Sequence, residues 1–419
     1  MGWNSWDSFA TTITEEQAKV ETDYIAEHLV SHGWQYMVVD IQWYEPNATG
    51  FDYRKDAKLA MDEFGRLLPA PNRFPSAADG RGFRALADYV HRKGLKFGIH
   101  MMRGIPRQAV VQNTAIRGAS AHAADIADTK STCSWNGDMY GVDMTRPGAQ
   151  EYYNSEFQQF ADWGVDFVKI DDLSRPYHGS EIAAIRKAID LTGRPMVFST
   201  SPGETPLNEA ADISQHANMW RISDDFWDNW KSLLHQVTLC AKWAPYTGAG
   251  HYPDADMLPL GMIRQGKSMT RFTHDEQYTL MTLWCIFRSP LMIGGDLRKM
   301  DDFTLSLITN DEVLAVDQQS ENNRQLFRSD NGLIAWIADV SGSADKYLAL
   351  FNTCDATGDA PQGASAPVSL NLTDAGFDGP VNIRDLWAKK DLGAASGKFS
   401  PNVPFHGARM FRLSPAGNK

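Results

Sequence analysis

At 419 residues, with 43% hydrophobic and 22% charged side chains, the chain has a globular composition and is too long for one ordinary core. A formal charge of -12 disfavours nucleic acid and anionic lipid, and no apolar run approaches the roughly 18 residues of a membrane span. Thirteen tryptophans and thirteen tyrosines suit a neutral glycan or glycoside, because flat aromatic faces pack on sugar rings. A neutral small molecule or glycan is therefore the expected partner, with no nucleic acid and no membrane; the oligomeric state stays open.

Taken in order, Met1 to Trp6 reads as a short apolar strand, followed by a helix that Thr14 opens with Gln17 three residues on, a capping box. Gly33 ends that helix, and Tyr36 to Asp40 is the second strand. A helix near Phe83 to Lys93 stops at Gly94 before a third strand, Lys96 to Met101. Ala149 to Trp163 is a helix that Gly164 ends, ahead of the strand Val165 to Asp172. A helix near Glu181 to Leu191 leads to Met196 to Thr200. Later strands are expected near Asn218 to Ile222, Trp243 to Tyr246 and Leu291 to Gly295, the last after a helix capped by Thr273 with Glu276. Eight strands alternating with helices over roughly 300 residues fit a closed (β/α)8 barrel, and no glycine-rich phosphate loop follows the first strand. From about Asp317 the texture turns to short alternating strands, Gly332 to Val340, Lys346 to Asn352, Pro367 to Leu372 and Ala408 to Leu413. The expectation is a TIM barrel over residues 1–316 followed by a C-terminal antiparallel β-sandwich over 317–419.

The octapeptide Val165 to Asp172 carries the chemistry most plainly. On a strand, Phe167, Lys169 and Asp171 share one face, and an inward lysine needs carboxylates around it. At the mouth of a barrel the strand ends gather Trp6, Asp40, His100, Asp171, Ser201 and Arg221, with Asp224 and Asp225 just beyond. Two carboxylates flanking a glycosidic bond suffice for hydrolysis, one ionised and one protonated. The alternative, for any one of these acids, is a cap on a helix in the following loop. His251, Asp254 and Asp256 have the residue types of a metal cluster, but Pro253 and the Asp-Met-Leu that follows favour a rigid turn, and no metal is expected.

Cys133, Cys240, Cys285 and Cys354 are scattered without metal or redox spacing and read as unpaired thiols, which fits a reducing compartment and favours the cytoplasm over secretion. No charged-then-apolar leader stands ahead of the first strand, which leaves a targeting segment upstream of Met1 open.

With these residues laid out, the chain resembles glycoside hydrolase family 27, the α-galactosidases and their relatives, over essentially its whole length. The resemblance rests on Met-Gly-Trp-Asn-Ser-Trp (Met1 to Trp6), Val-Lys-Ile-Asp (Val168 to Asp171), Trp-Arg-Ile-Ser-Asp-Asp (Trp220 to Asp225) and Pro-Asp-Ala-Asp-Met-Leu (Pro253 to Leu258). It implies a retaining exo-glycosidase without a cofactor. Asp171 would be the nucleophile and Asp225, four places after Arg221, the acid/base. Trp6 would form an aromatic wall, with Asp40 at O4, Lys169 near O3 and O4, and Arg221 near O2.

Departures from the family pattern matter as much. Its α-galactosidases carry two consecutive aspartates after the second strand, the second reaching the C6 hydroxyl, where this chain reads Asp40-Ile41. His100 stands where many relatives have tyrosine, Ser201 falls near the position that reads the C2 substituent, and Leu173 replaces a cysteine, so the usual disulfide there cannot form. β-L-Arabinopyranose has the ring stereochemistry of α-D-galactopyranose without the hydroxymethyl group. An isoleucine at that position therefore favours arabinopyranosidase over α-galactosidase, with α-N-acetylgalactosaminidase a further alternative through Ser201. The competing class is a carbohydrate-binding pseudoenzyme, since fold alone does not establish activity; the presence of both Asp171 and Asp225 favours an enzyme.

Overall fold

The structure, a computed structural model, describes residues 1–355 and 364–416. They form two compact units, Met1–Asp225 with Gly248–Met269 and Met292–Met300, and Phe226–Thr247 with Thr270–Leu291 and Asp301–Lys419.

The first unit holds eight short parallel strands: β1 Gly2–Asn4, β2 Tyr36–Val39, β3 Lys96–Met102, β4 Phe167–Asp171, β5 Val197–Thr200, β6 Met219–Arg221, β7 Tyr252–Asp254 and β8 Met292–Ile293. They pair in chain order from β1 to β7, β8 lying against β1. The sheet curls into a ring, since Leu258, four residues past β7, bridges Ile293 in parallel. Leu258 N donates to Met292 O at 2.8 Å and Gly294 N to Leu258 O at 3.0 Å.

Helices cover this sheet where local signals predict them. Thr14 and Gln17 cap α1 (Glu15–Tyr24) reciprocally, and Gly33 leaves the turns that follow with φ +87°. The next are α2 (Arg84–Arg92), α3 (Ala149–Trp163), which Gly164 closes, and α4 (Gly179–Leu191). No helix among the described residues is long and apolar enough to cross a membrane.

One strand lies elsewhere than expected. Trp243 to Tyr246 is the end of α5 (Trp230–Trp243) and a following 3-10 turn, and the seventh strand is Tyr252–Asp254. The Asn229 side chain accepts from Ser232 N at 2.9 Å and starts that helix, so the apolar cluster belongs to a helix end. The true strand is three residues, Tyr-Pro-Asp, and presents no apolar run.

Strand alternation builds the interior in layers. Phe167 packs with Val38, Met219, Met257 and Met292, and the partly buried Trp6, Tyr36 and Val197 lie against them. Gly98 completes this layer without a side chain: a Cβ there would lie 2.8 Å from Val38 Cγ2 and 3.1 Å from Phe167. Two residues further along the same faces come Asp40, His100, Lys169 and Arg221, at the carboxyl ends of the strands.

In the second unit, α6 (His274–Phe287) carries the expected Thr273/Glu276 capping box. Six antiparallel strands follow, β9 Ser320–Arg328, β10 Leu333–Val340, β11 Lys346–Asn352, β12 Val381–Asp385, β13 Lys390–Ala395 and β14 Gly407–Pro415, in the sheet order β9-β10-β11-β14-β12-β13. Alternate residues of one face, among them Ala335, Ile337, Leu348, Leu350, Phe411 and Leu413, pack on Leu370 and Val403 from two short strand pairs, Ser365–Pro367 with Asn402–Pro404 and Leu370–Asn371 with Lys398–Phe399, and on Val368 between them. This is the β-sandwich.

Candidate active site

On one wall of the barrel mouth, β3 places His100 between two acids. Its Nδ1 lies 2.5 Å from Asp40 Oδ2 and its Nε2 lies 2.6 Å from Asp171 Oδ1, all three side chains being buried. Asp40 is fixed further by Ile41 N, which donates to its Oδ1, and by Ser5 Oγ, which accepts from its backbone N–H, both at 2.9 Å. Burial alone would depress the His100 pKa, but Asp171 and Asp40 outweigh it and raise the value, which favours the imidazolium form between the two carboxylates. Burial likewise opposes the charge on Lys169, and Asp40 with Asp171 overcomes it. For Asp40 the cost of burial is more than offset by His100 and Lys169, which hold it as an anion.

On the opposite wall a single guanidinium serves several groups. Arg221, at the end of β6 and 1% exposed, donates from Nη2 to Asp225 Oδ1 at 2.8 Å, lies 2.7 Å from Asp256 Oδ2, and donates from Nη1 to Ser201 Oγ at 3.1 Å. The Asp225 side chain is 56% exposed, whereas that of Asp256 is buried. Burial raises Asp256 to about 6, with Asp225 adding to the rise and Arg221 opposing it. At Asp225 desolvation acts upward too, but Arg221 prevails and its pKa is lowered. Asp254 accepts from Asp256 N at 2.9 Å, and Asp7 is raised well above the carboxylate range by burial and by Asp256. Gly294 lets Asp7 in: a Cβ at that position would lie 1.9 Å from Asp7 Oδ2. Among the described residues no group of histidine, cysteine and acid side chains could hold a metal ion; Asp256 meets Arg221 instead, and His251 stacks on Trp220 with ring centroids 6.3 Å apart.

Aromatic rings line the rim. Trp6 opens a single helical turn directly after β1, stacks on Tyr53 at 6.2 Å and meets Phe51 edge-on at 5.5 Å, and Tyr53 in turn tilts against Trp135 at 5.6 Å. Burial and the anions Asp171, Asp40 and Asp225 push the Tyr53 phenol upward, so it keeps its proton and can donate.

Known proteins share this architecture. A family model described as alpha galactosidase A matches residues 1–146 and 140–319, and one described as the alpha galactosidase C-terminal beta sandwich domain matches 330–413. The chain belongs to glycoside hydrolase family 27. It is thus a glycoside hydrolase, acting on glycans or glycosides. A family 27 β-L-arabinopyranosidase from Geobacillus stearothermophilus is 51% identical over 100% of this chain and 97% of its own, with a TM-score of 0.95; a variant of it in complex with arabinose superposes at 0.94. A Bacillus halodurans C-125 protein described provisionally as an α-N-acetylgalactosaminidase is 45% identical, covers 99% of this chain and 97% of its own, and has a TM-score of 0.88. The α-galactosidase of Oryza sativa subsp. japonica is 29% identical over 99% of this chain and 84% of its own.

Within this family 27 barrel, the residues singled out from sequence fall in two groups. His100 touches both Asp40 and Asp171, with Lys169 in their field, and Ser201, Arg221 and Asp225 form the other group. Ile41 is fully buried directly after Asp40, and Trp6 stands at the rim. Asp224 pairs with Arg175, both exposed, away from Arg221. The sequence reading missed Asp7, Tyr53, Trp135 and the role of Asp256 as an ion-pair partner of Arg221. The Pro-Asp-Ala-Asp-Met-Leu motif points at Asp256, but by itself it reads as a turn. Tyr53 sits in a long loop and Trp135 in the short connection between the strands Ala127–Thr132 and Met139–Val142, both without periodicity, so nothing local marked them.

Neighbouring anions do not keep Asp225 protonated in the site as it stands. Arg221 at 2.8 Å outweighs the carboxylates, and the raised acid of the pair is Asp256.

Proposed function

We propose that the protein is a retaining exo-glycosidase that releases terminal β-L-arabinopyranose. The observation that carries the sugar assignment is the identity of Ile41, directly after Asp40 where the family's α-galactosidases carry a second aspartate; an apolar side chain there offers nothing to a C6 hydroxyl. The 51% identity to a protein named a β-L-arabinopyranosidase supports the same reading. The 29% identity to plant α-galactosidases keeps α-galactoside as the second reading.

In the proposed mechanism Asp171 attacks the anomeric carbon. The C1–O bond to the leaving group breaks, and Asp225 delivers a proton to the departing oxygen. The resulting glycosyl ester is hydrolysed by a water that Asp225 deprotonates, which returns both carboxyls to their starting states. His100 engages Oδ1 of Asp171, which favours Oδ2 as the attacking atom. Lys169 and Asp40 would bind the ring hydroxyls, and Trp6 would cover an apolar sugar face. Arg221 would turn one N–H to O2; spreading its charge over a further acceptor loosens its hold on Asp225, and the nearby anions then lift that acid's pKa toward a protonated state. No step calls for a cofactor.

The test compares kcat/KM for nitrophenyl β-L-arabinopyranoside, α-D-galactopyranoside and N-acetyl-α-D-galactosaminide at one pH. Arabinopyranoside should lead, with the released sugar first appearing in the anomeric configuration of the substrate. An inverted first product would remove the nucleophile assignment, and a preference for galactoside would remove the sugar assignment.

A further inference from the structure

The turn that follows the candidate nucleophile is gripped by a buried cation. Asp172 comes directly after Asp171 and has φ +66°, a left-handed conformation that a residue bearing a Cβ holds only when its surroundings impose it. Arg103, one residue past β3 and 3% exposed, imposes it through its side chain. Nε donates to the Asp172 carbonyl oxygen at 2.8 Å, Nη2 to Asp172 Oδ2 at 2.7 Å, and Nη1 to Oε1 of Glu181, in the first turn of α4, at 2.7 Å. Its backbone N–H donates to the Asp171 carbonyl oxygen at 3.0 Å. The Glu181 carboxylate is itself held by the Tyr153 hydroxyl and by Val142 N. The carbonyl oxygens of Asp171 and Asp172 are thus both held by Arg103, just past β3, which Glu181 in turn ties to α4.

Such a clamp is a poor source of stability, because desolvating a guanidinium and two carboxylates cancels most of their attraction. What a planar fork supplies is direction, since several N–H groups in fixed geometry define an orientation that a lysine cannot reproduce. We propose that Arg103 is a positioning residue for the hydrolytic reaction. By holding the carbonyl and carboxylate of Asp172 together it aims the Asp171 carboxylate at the anomeric carbon. This rests on the reading of Asp171 as nucleophile.

The probe is a cyclitol aziridine of galacto configuration, used with and without its exocyclic hydroxymethyl arm. A carboxylate oxygen opens the three-membered ring, the C–N bond breaks, and the nitrogen takes up a proton, which leaves an ester that mass spectrometry locates. Three variants are compared with wild type. Arg103→Lys keeps the charge and loses the fork; Asp172→Asn keeps the shape and loses the carboxylate's charge; Asp172→Gly removes the carboxylate and tolerates the positive φ. Wild type should be labelled on Asp171. Each variant, with a melting temperature close to wild type, should be labelled on the order of 100-fold more slowly, the usual cost of a misplaced reacting group. For nitrophenyl and alkyl glycosides alike kcat should fall in step, with KM little changed. Labelling of the folded variants at the wild-type rate, or a loss confined to KM, overturns the proposal while Asp171 stands as nucleophile. Labelling of wild type on another residue removes the nucleophile assignment and this inference with it. Should Arg103→Lys fail to fold, the two Asp172 variants decide on the same criteria.

Discussion

On the wall built by β2, β3 and β4, Asp40 and Asp171 each face a separate nitrogen of His100, with Lys169 adding its charge, whereas on the wall built by β6 and β7 Asp225 and Asp256 share one nitrogen of Arg221. The first arrangement fixes charge, because removing a proton from the ring deprives one particular carboxylate of its donor. The second lets charge move. Two acids that divide one guanidinium titrate as a pair, and whatever draws Arg221 toward one raises the proton affinity of the other. A nucleophile needs the first environment and an acid/base needs the second.

The sharpest way to break this contrast is at the first wall. Asp171→Asn should reduce turnover to background on every glycoside, whatever its leaving group, as measured by steady-state rates on aryl and alkyl arabinopyranosides. Equal activity in that variant would show that the fixed wall is not the nucleophile's. At the second wall the effect should depend on the substrate. Asp225→Asn should cost about 10²- to 10⁴-fold on alkyl glycosides and far less on dinitrophenyl glycosides, which leave without a proton. A uniform loss across leaving groups would contradict the acid role.

A smaller effect belongs to the residue beside Asp40. Ile41→Asp should shift the ratio of kcat/KM from arabinopyranoside toward α-galactoside by about 10- to 200-fold, the discrimination an apolar pocket achieves by shape and by stranding a hydroxyl. An unchanged ratio would mean that Ile41 does not face C6.

The subtlest prediction separates the walls by pH. The His100 pKa is raised in the folded protein, so its ion pairs contribute stability in full below its unfolded value near 6.5. That contribution is lost as pH climbs through the raised folded value. The melting temperature of wild type should therefore exceed that of His100→Gln most at slightly acidic pH, and the gap should narrow on the alkaline side. Asp225, whose pKa is lowered, behaves oppositely: its pairing with Arg221 is present above the unfolded carboxylate value and fades as pH falls through the depressed one. A His100→Gln difference that stayed constant from pH 5 to 9 would argue that the ring is not charged.

Local sequence determined those parts of the molecule whose cause is local. Thr14 with Gln17 and Thr273 with Glu276 make their capping boxes from residues three apart, and Gly33 and Gly164 end helices because only glycine adopts that turn without strain. Period-two alternation likewise placed Phe167, Lys169 and Asp171 on one face, whereas the choice of Asp225 over Asp224 comes from the family resemblance, in which the acid follows the arginine by four places. The seventh strand escaped because Tyr252–Asp254 is too short for any periodicity, while Trp243 to Tyr246 is apolar for the sake of a helix end. Only the closed ring decided the charges. His100 reaches both Asp40 and Asp171 because β3 runs between β2 and β4, and Asp256 meets Arg221 because β7 pairs with β6. Arg103 finds Asp172, 69 residues away, for the same reason. Each of these depends on which strands lie side by side, so burial and the sum of neighbouring charges, rather than residue type, set whether each acid holds a proton.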